Sequence, residues 1–285
     1  MSQNNQKMYV NVHIGINEEL FEIAYAYLGN YEISGIEEKL DEIVVCFPFS
    51  KWNDEIRVEI LDILHSYDEN IRIIKEESIE EKNWNEEWEK NLSPIIVSPK
   101  LAIVPSWKKD EIQSELKIII DPKMSFGTGH HATTRLVCKL MEPLVKQDSF
   151  WIDAGTGTGV LAILAVMLGA RQVMAFDNNI WSIENAIENI EINNCKNQID
   201  ISEQDINVIE LPESDGIAAN LYTHLLIPSL PKFYKSLIKA NGDLVISGVL
   251  VYDEKDIMKN AEKCGFRHIT TLYEDEWISA HFRAI

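Results

Sequence analysis

Residues 8–14 alternate apolar and polar positions, the period of a half-buried strand. Residues 18–28 then place Leu20, Phe21, Ala24 and Leu28 at helical spacing. Two more strands are predicted over 32–37 and 42–47, joined by a polar turn. A second helix is predicted from about 53 to 65, with Ile56, Ile60, Leu61 and Leu64 on one face, and a last strand over 71–75. The order β-α-β-β-α-β is that of a ferredoxin-like split unit, a small α+β domain over 1–77. This stretch has no glycine-rich loop and no cluster of polar catalytic types, which points to binding rather than catalysis. Residues 79–92 are charged and carry Trp84 and Trp88, whose i, i+4 spacing puts both rings on one helix face. A linker helix over 78–92, docked by its tryptophans, is expected there.

From residue 93 the rhythm changes. Strand-like runs at 95–97, 101–104 and 116–120 lead into a 14-residue loop, 121–134, and a helix around 135–144. Strands then fall near 150–154, 172–176, 199–202, 216–219 and 244–247, with helices between them. This alternation predicts an α/β domain over 93–285, a parallel sheet with helices on both faces. Two closing strands, 267–273 and 276–283, are joined by a tight acidic turn.

Composition narrows the function classes. The chain has 285 residues, 46% hydrophobic and 25% charged, as in an ordinary soluble protein of two domains. No run of apolar residues is long enough for a membrane helix, and the first ten residues lack the apolar core of a secretory signal. A cytoplasmic location is the expectation. Cys46, Cys138, Cys195 and Cys264 are far apart and form no CxxC pair, so neither a zinc site nor a redox motif is indicated. The formal net charge of −20 opposes binding to nucleic-acid phosphates and would steer a basic protein partner inward. A monomer that binds neither nucleic acid nor membrane is expected.

The chemistry concentrates in a few segments. Trp151-Ile152-Asp153-Ala154 ends a buried strand, Gly155, Gly157 and Gly159 follow, and an apolar helix begins at Val160. Glycines let a backbone turn sharply and approach a ligand, and a helix N-terminus offers free N–H groups. A dinucleotide fingerprint reads GxGxxG; here the third glycine comes one residue early, giving GxGxG. That spacing favours S-adenosylmethionine, which has a carboxylate but no pyrophosphate. Asp177, 22 residues after Gly155 at the end of the next strand, is placed to accept the ribose hydroxyls, with a helix N-cap as its alternative role. Asp205, after the third strand, is a candidate for the adenine amino group, with Glu203 as a chemically equivalent neighbour.

The 121–134 loop has the length of a lid or binding loop, and Phe126 in it can cover an adenine ring. His130 and His131 are adjacent with no third ligand nearby, so no metal is expected. Thr133 and Thr134 are candidate helix caps. Asn220 ends the fourth strand, where its carbonyl oxygen can orient an incoming amine without adding charge. An amine must be neutral to attack a methyl group, and a carboxylate beside it would stabilise the ammonium form instead.

Four blocks of this sequence resemble the ribosomal protein L11 methyltransferase (PrmA) family. They are Asn83-Trp84-Asn85-Glu86-Glu87-Trp88 with Pro94, the loop from Asp121-Pro122 through Phe126 to Arg135, the glycine turn with Leu168-Gly169-Ala170, and Ala219-Asn220-Leu221-Tyr222 with the later 242–250 strand. Order and spacing agree from about residue 79 to the end, and the FGTGHHxTTR pattern is the family-specific part. The resemblance implies a Rossmann-like, seven-stranded methyltransferase domain behind a ferredoxin-like substrate-recognition domain. It implies methylation of lysine side chains and the N-terminal α-amine of ribosomal protein L11. It places cofactor contacts on Thr134, Gly155, Asp177 and Asn220, to which the residue reading adds Phe126, Gly157 and Asp205 and gives Asn220 the catalytic role. The alternative acceptor is an amine of another protein or of a small molecule.

Overall fold

A computed structural model describes residues 8–80, 92–123 and 125–285. The chain divides into two compact units, Met1–Trp84 and Asn85–Ile285. The linker helix expected over 78–92, with Trp84 and Trp88, falls mostly outside the described residues; residues 78–80 instead finish a strand.

The first unit runs β1 (Met8–Gly15), α1 (Phe21–Leu28), β2 (Gly35–Lys39), β3 (Glu42–Pro48), α2 (Asp54–His65) and β4 (Arg72–Glu80). Its four strands pair antiparallel in the order β2-β3-β1-β4. Alternation decides the faces: Val10, Val12 and Ile14 of β1 and Ile43, Val45 and Phe47 of β3 point at one core with Phe21, Ala24, Leu28, Ile60 and Leu64 of the helices. Asn53 caps α2, its Oδ1 accepting the Ile56 N–H at 3.0 Å. The β2 strand lies three residues later than the predicted 32–37. A two-residue turn at Leu40-Asp41, with Asp41 at φ 54°, locks Lys39 opposite Glu42 and sets the register back to Gly35 opposite Cys46.

The second unit opens with a small sheet of β5 (Ile95–Ile96), β6 (Leu101–Val104) and β7 (Leu116–Ile119). After it come α3 (Ala132–Met141), β8 (Phe150–Ala154), α4 (Val160–Leu168), β9 (Gln172–Asp177), α5 (Ile180–Ile192), β10 (Ile199–Glu203), β11 (Gly216–Asn220), α6 (Thr223–Leu237), β12 (Asp243–Leu250), α7 (Glu254–Lys263), β13 (Phe266–Glu274) and β14 (Trp277–Ala284). The main sheet has seven strands in the order β10-β9-β8-β11-β12-β14-β13. The first five are parallel, and the β13–β14 hairpin closes the edge antiparallel. This is the Rossmann-like α/β methyltransferase arrangement.

Both faces of the sheet are buried, which is why β8 is apolar at every position but Asp153. Trp151 packs with α3, α4 and α5 on one side, while Ile152 and Ala154 pack with α6 and α7 on the other. Strand order reverses between β8 and β11, so their carboxyl ends diverge and leave a crevice. Among the described residues no helix is long and apolar enough to cross a membrane.

One boundary differs in a way that bears on function. The helix predicted over 135–144 begins at Ala132, because His131 caps it. The His131 Nδ1 takes the Thr133 N–H at 3.4 Å, and Thr133 and Thr134 are buried first-turn residues rather than caps.

Candidate active site

The crevice is a cleft of about 440 Å³ at the carboxyl ends of β8, β9 and β11, a volume suited to a nucleoside-sized ligand. Its floor is the glycine turn. Gly155, Gly157 and Gly159 all take positive φ, at 76°, 54° and 83°. A Cβ on Gly157 would overlap the Phe126 carbonyl oxygen, and one on Gly155 would overlap the Leu221 side chain. The turn is thus pressed between the 121–134 loop and the end of β11. Thr158 staples the loop down, its N–H donating to the Phe126 oxygen and its hydroxyl to the Gly127 oxygen, both at 2.9 Å.

The turn's N–H groups face the protein itself, whereas the strand–turn–helix pattern would aim them at a ligand. Gly155 and Thr156 donate to the Phe176 oxygen, Gly157 to Asp177 Oδ2 at 3.0 Å, Gly159 to the Thr156 oxygen, and Ala162 to Asp153 Oδ2 at 3.0 Å. Left-handed glycines fold these donors back onto the protein. The glycines therefore serve close approach, not donation.

Asp177 and Asp205 both line the cleft, on its β9–β10 side. Asp177 is not the cap of α5: Asn179 is, accepting the Trp181 N–H at 2.9 Å. Asp177 Oδ1 accepts from Asn179 N at 3.0 Å, and lone pairs remain on both carboxylate oxygens. Asp205 Oδ1 accepts from the Asn207 backbone and side-chain amides at 2.8 and 2.9 Å, which orients its carboxylate. Its neighbour Glu203 does not line the cleft.

The opposite side carries Asn220, Leu221, Tyr222 and Trp277. Phe126 stands at the mouth, 53% exposed. Thr134 lies elsewhere: it is 1% exposed, does not line the cleft, and its hydroxyl has no hydrogen-bond partner among the described residues. Thr133 lines the cleft instead. The structure so brings together Phe126, Gly155, Gly157, Asp177, Asp205 and Asn220 of the expected set and leaves Thr134 outside.

Two contributors escape the sequence reading. His131 lies between Phe126 and Trp277, with ring centroids 5.2 and 5.0 Å away. Burial and the Arg135 guanidinium push its pKa below the usual imidazole value, against a smaller opposing pull from Glu276, so the ring is neutral at physiological pH. Trp277 arrives from the closing hairpin, far along the chain, and its only sequence signal is an aromatic beside an acidic turn. Arg135 joins both regions: it donates to the Gly129 and His130 carbonyl oxygens of the loop and pairs with Glu274 of β13. Glu274 is the cross-strand partner of Trp277.

These residues fit S-adenosylmethionine. Glycines without a Cβ let Leu221 and the Phe126 carbonyl close against the turn and shape the cleft floor, and a carboxylate at the end of β9 suits a ribose diol. Phe126 adds an aromatic face to the cleft lining.

Known proteins agree with this architecture. The model of the family described as ribosomal protein L11 methyltransferase (PrmA) matches residues 17–284. A ribosomal protein L11 methyltransferase from Chlorobaculum parvum is 36% identical over 277 residues, covering 95% of each chain. One from Chlorobaculum tepidum is 34% identical over 283 residues, again covering 95% of each. A crystal structure of a ribosomal protein L11 methylase from Lactobacillus delbrueckii subsp. bulgaricus superposes with a TM-score of 0.62 at 28% identity, covering 67% of this chain and 98% of that one. The chain belongs to the ribosomal protein L11 methyltransferase (PrmA) family.

Proposed function

We propose that this protein transfers methyl groups from S-adenosylmethionine to lysine side-chain and N-terminal amines of ribosomal protein L11. The observation that carries the reading is the division of the cleft. Both carboxylates that line it stand on the β9–β10 side, and the β11 end opposite offers the neutral Asn220 amide.

S-adenosylmethionine supplies a methyl group on a positively charged sulfur, open to in-line attack. Asp177 accepts the ribose hydroxyls, Asp205 takes the adenine amino group, and Phe126 covers the ring. Gly155 and Gly157 let the turn close against Leu221 and the Phe126 carbonyl, which shapes the floor beneath the ligand. Asn220 Oδ1 accepts an N–H of the incoming amine and aims its lone pair at the methyl group. A lysine amine, with a pKa of about 10.4, costs about 4.6 kcal/mol to neutralise at pH 7. A carboxylate beside the amine would raise that cost, and the Asn220 side has none among its lining residues.

The first unit acts as a ferredoxin-like substrate-recognition domain. The chain's net charge of −20 attracts a basic ribosomal protein and repels bare phosphates. The protein then works as a monomer in the cytoplasm, where its substrate is made.

Transfer of radiolabelled methyl to unmethylated ribosomal protein L11 tests the activity. An Asp177→Ala variant is expected to weaken cofactor affinity at least about ten-fold, the loss of one or two charge-assisted hydrogen bonds. No incorporation into competent substrate by the parent protein sinks the reading, and transfer to another acceptor only reassigns the partner.

A further inference from the structure

Asn220 has an amide with two chemically opposite ends. Only one of them helps an amine react: the oxygen accepts an N–H, whereas the NH2 group would press a donor against a donor. The orientation of this amide is therefore a functional variable, and a chain of hydrogen bonds on the cleft wall determines it.

The chain starts at the cap of α3. His131 Nδ1 receives the Thr133 backbone N–H at 3.4 Å, so Nδ1 presents a lone pair. The Thr133 hydroxyl sits 2.8 Å from that same nitrogen. An oxygen facing a lone pair must donate, so the hydroxyl proton lies on the line to Nδ1. The lone pairs of Thr133 Oγ1 then face outward, and Asn220 Nδ2 donates to them at 3.2 Å. With Nδ2 committed to Thr133, Oδ1 is directed away from it, and all three residues line the cleft.

We propose that His131 is a positioning residue that acts through Thr133 to fix the Asn220 amide with its oxygen toward the acceptor. This rests on the methyl-transfer reading above for its consequence, though not for its geometry. The ring is well suited to the task. Its ring packs against both Phe126 and Trp277. The charged groups around it are Arg135 from α3 and Glu276 beside β14; burial and Arg135 disfavour the imidazolium against a smaller opposing pull from Glu276. His130, the preceding residue in the loop, has its pKa lowered by burial and by Arg135 against a hydrogen bond to Thr128. Arg135 also anchors the carbonyl groups of Gly129 and His130, which fixes where the imidazole is presented.

Two measurements on the full chain test this. In the cofactor-free protein labelled with nitrogen-15 histidine, the His131 signals, identified by their loss in His131→Asn, are expected to show an unprotonated Nδ1 and a proton on Nε2 near neutral pH. Thr133→Val, which removes the hydroxyl at nearly the same shape, is expected to shift the Nδ1 signal. A protonated Nδ1, or a signal indifferent to Thr133→Val, overturns the proposal. In the kinetic arm, Thr133→Val is expected to lower kcat on the order of 10²-fold while cofactor affinity by calorimetry stays within about three-fold, and Thr133→Ser is expected to recover most of the loss. Unchanged kcat in Thr133→Val also overturns it. If the parent protein methylates nothing on ribosomal protein L11, the functional reading fails while the nitrogen signals still decide the relay.

Discussion

Gly157→Ala is expected to weaken S-adenosylmethionine binding by 10²- to 10³-fold, on the order of 3–4 kcal/mol. The first part of the cost is conformational. Gly157 sits at φ 54°, and a non-glycine residue in the left-handed region costs roughly 1–2 kcal/mol, strain that the free protein relieves by moving the turn out of its ligand-binding geometry. The second part is steric and falls on backbone, not on a side chain that can swing away. The new Cβ would meet the Phe126 carbonyl oxygen. That oxygen accepts the Thr158 N–H, and the adjacent Gly127 oxygen accepts the Thr158 hydroxyl. To make room, the loop must lift and lose these bonds, each worth about 1 kcal/mol. Phe126 lifts with it and no longer covers the ligand. Gly35→Ala is the control: a Cβ there meets nothing within 4 Å, and cofactor binding is expected to be unchanged. Calorimetric titration of both variants decides the matter; a Gly157→Ala protein that binds within about three-fold of the parent refutes this account of the turn.

The turn was legible in the sequence because glycine spacing records backbone requirements directly. GxGxG means three consecutive demands for left-handed or crowded backbone, and the structure makes all three. Asp177 and Asn220 were legible for a related reason: each ends a strand whose apolar run marks it as buried, and ligands gather at those carboxyl ends. What the pattern did not carry was where the donors point. The N–H groups of residues 155–159 turn back on Phe176, Asp177, Phe126 and Thr156, a consequence of the turn's three-dimensional closure that no spacing encodes.

The local pattern misplaces the start of α3 for a different reason. Histidine is a poor cap by propensity, while Thr133 and Thr134 stood in plain view as good ones. Tertiary packing reverses this preference: both threonines are buried in the first turn, and the ring of His131 is held against Trp277 where its Nδ1 can reach the Thr133 N–H. Trp277 itself depends on the hairpin register, Glu274 opposite Trp277, and on the Arg135–Glu274 pair that joins the hairpin to the loop. Long-range pairing of this kind has no local signature.

The remaining large effect lies beneath the turn. Asp153 is 1% exposed, and burial pushes its carboxyl up to about 7, with the Thr156 hydroxyl and the Ala162 N–H pulling the other way. Oδ2 accepts both of those bonds, at 2.6 and 3.0 Å, while Oδ1 has no partner among the described residues. A neutral carboxyl tolerates that burial better than an anion does. In the unfolded chain the same carboxyl ionises near its ordinary value of 3.8. Between roughly pH 4 and pH 7 the folded state therefore holds a proton that the unfolded state has lost, and stability falls as pH rises through that window. The contribution is fully present below the unfolded value and is gone above the folded one. Asp153→Asn keeps an oxygen for Thr156 and Ala162 but cannot ionise. Its stability relative to the parent is expected to climb from pH 4 to pH 7, by a total on the order of 4 kcal/mol, and to level off above that. Hydrogen exchange of the β8 and α4 amides, followed in both proteins across this range and corrected for intrinsic rates, reads the difference within the second unit itself. A difference that does not change with pH would mean that Asp153 is ionised in the folded protein throughout. The anion would then have to be stabilised at Oδ1, a buried oxygen for which the fold supplies no donor among the described residues.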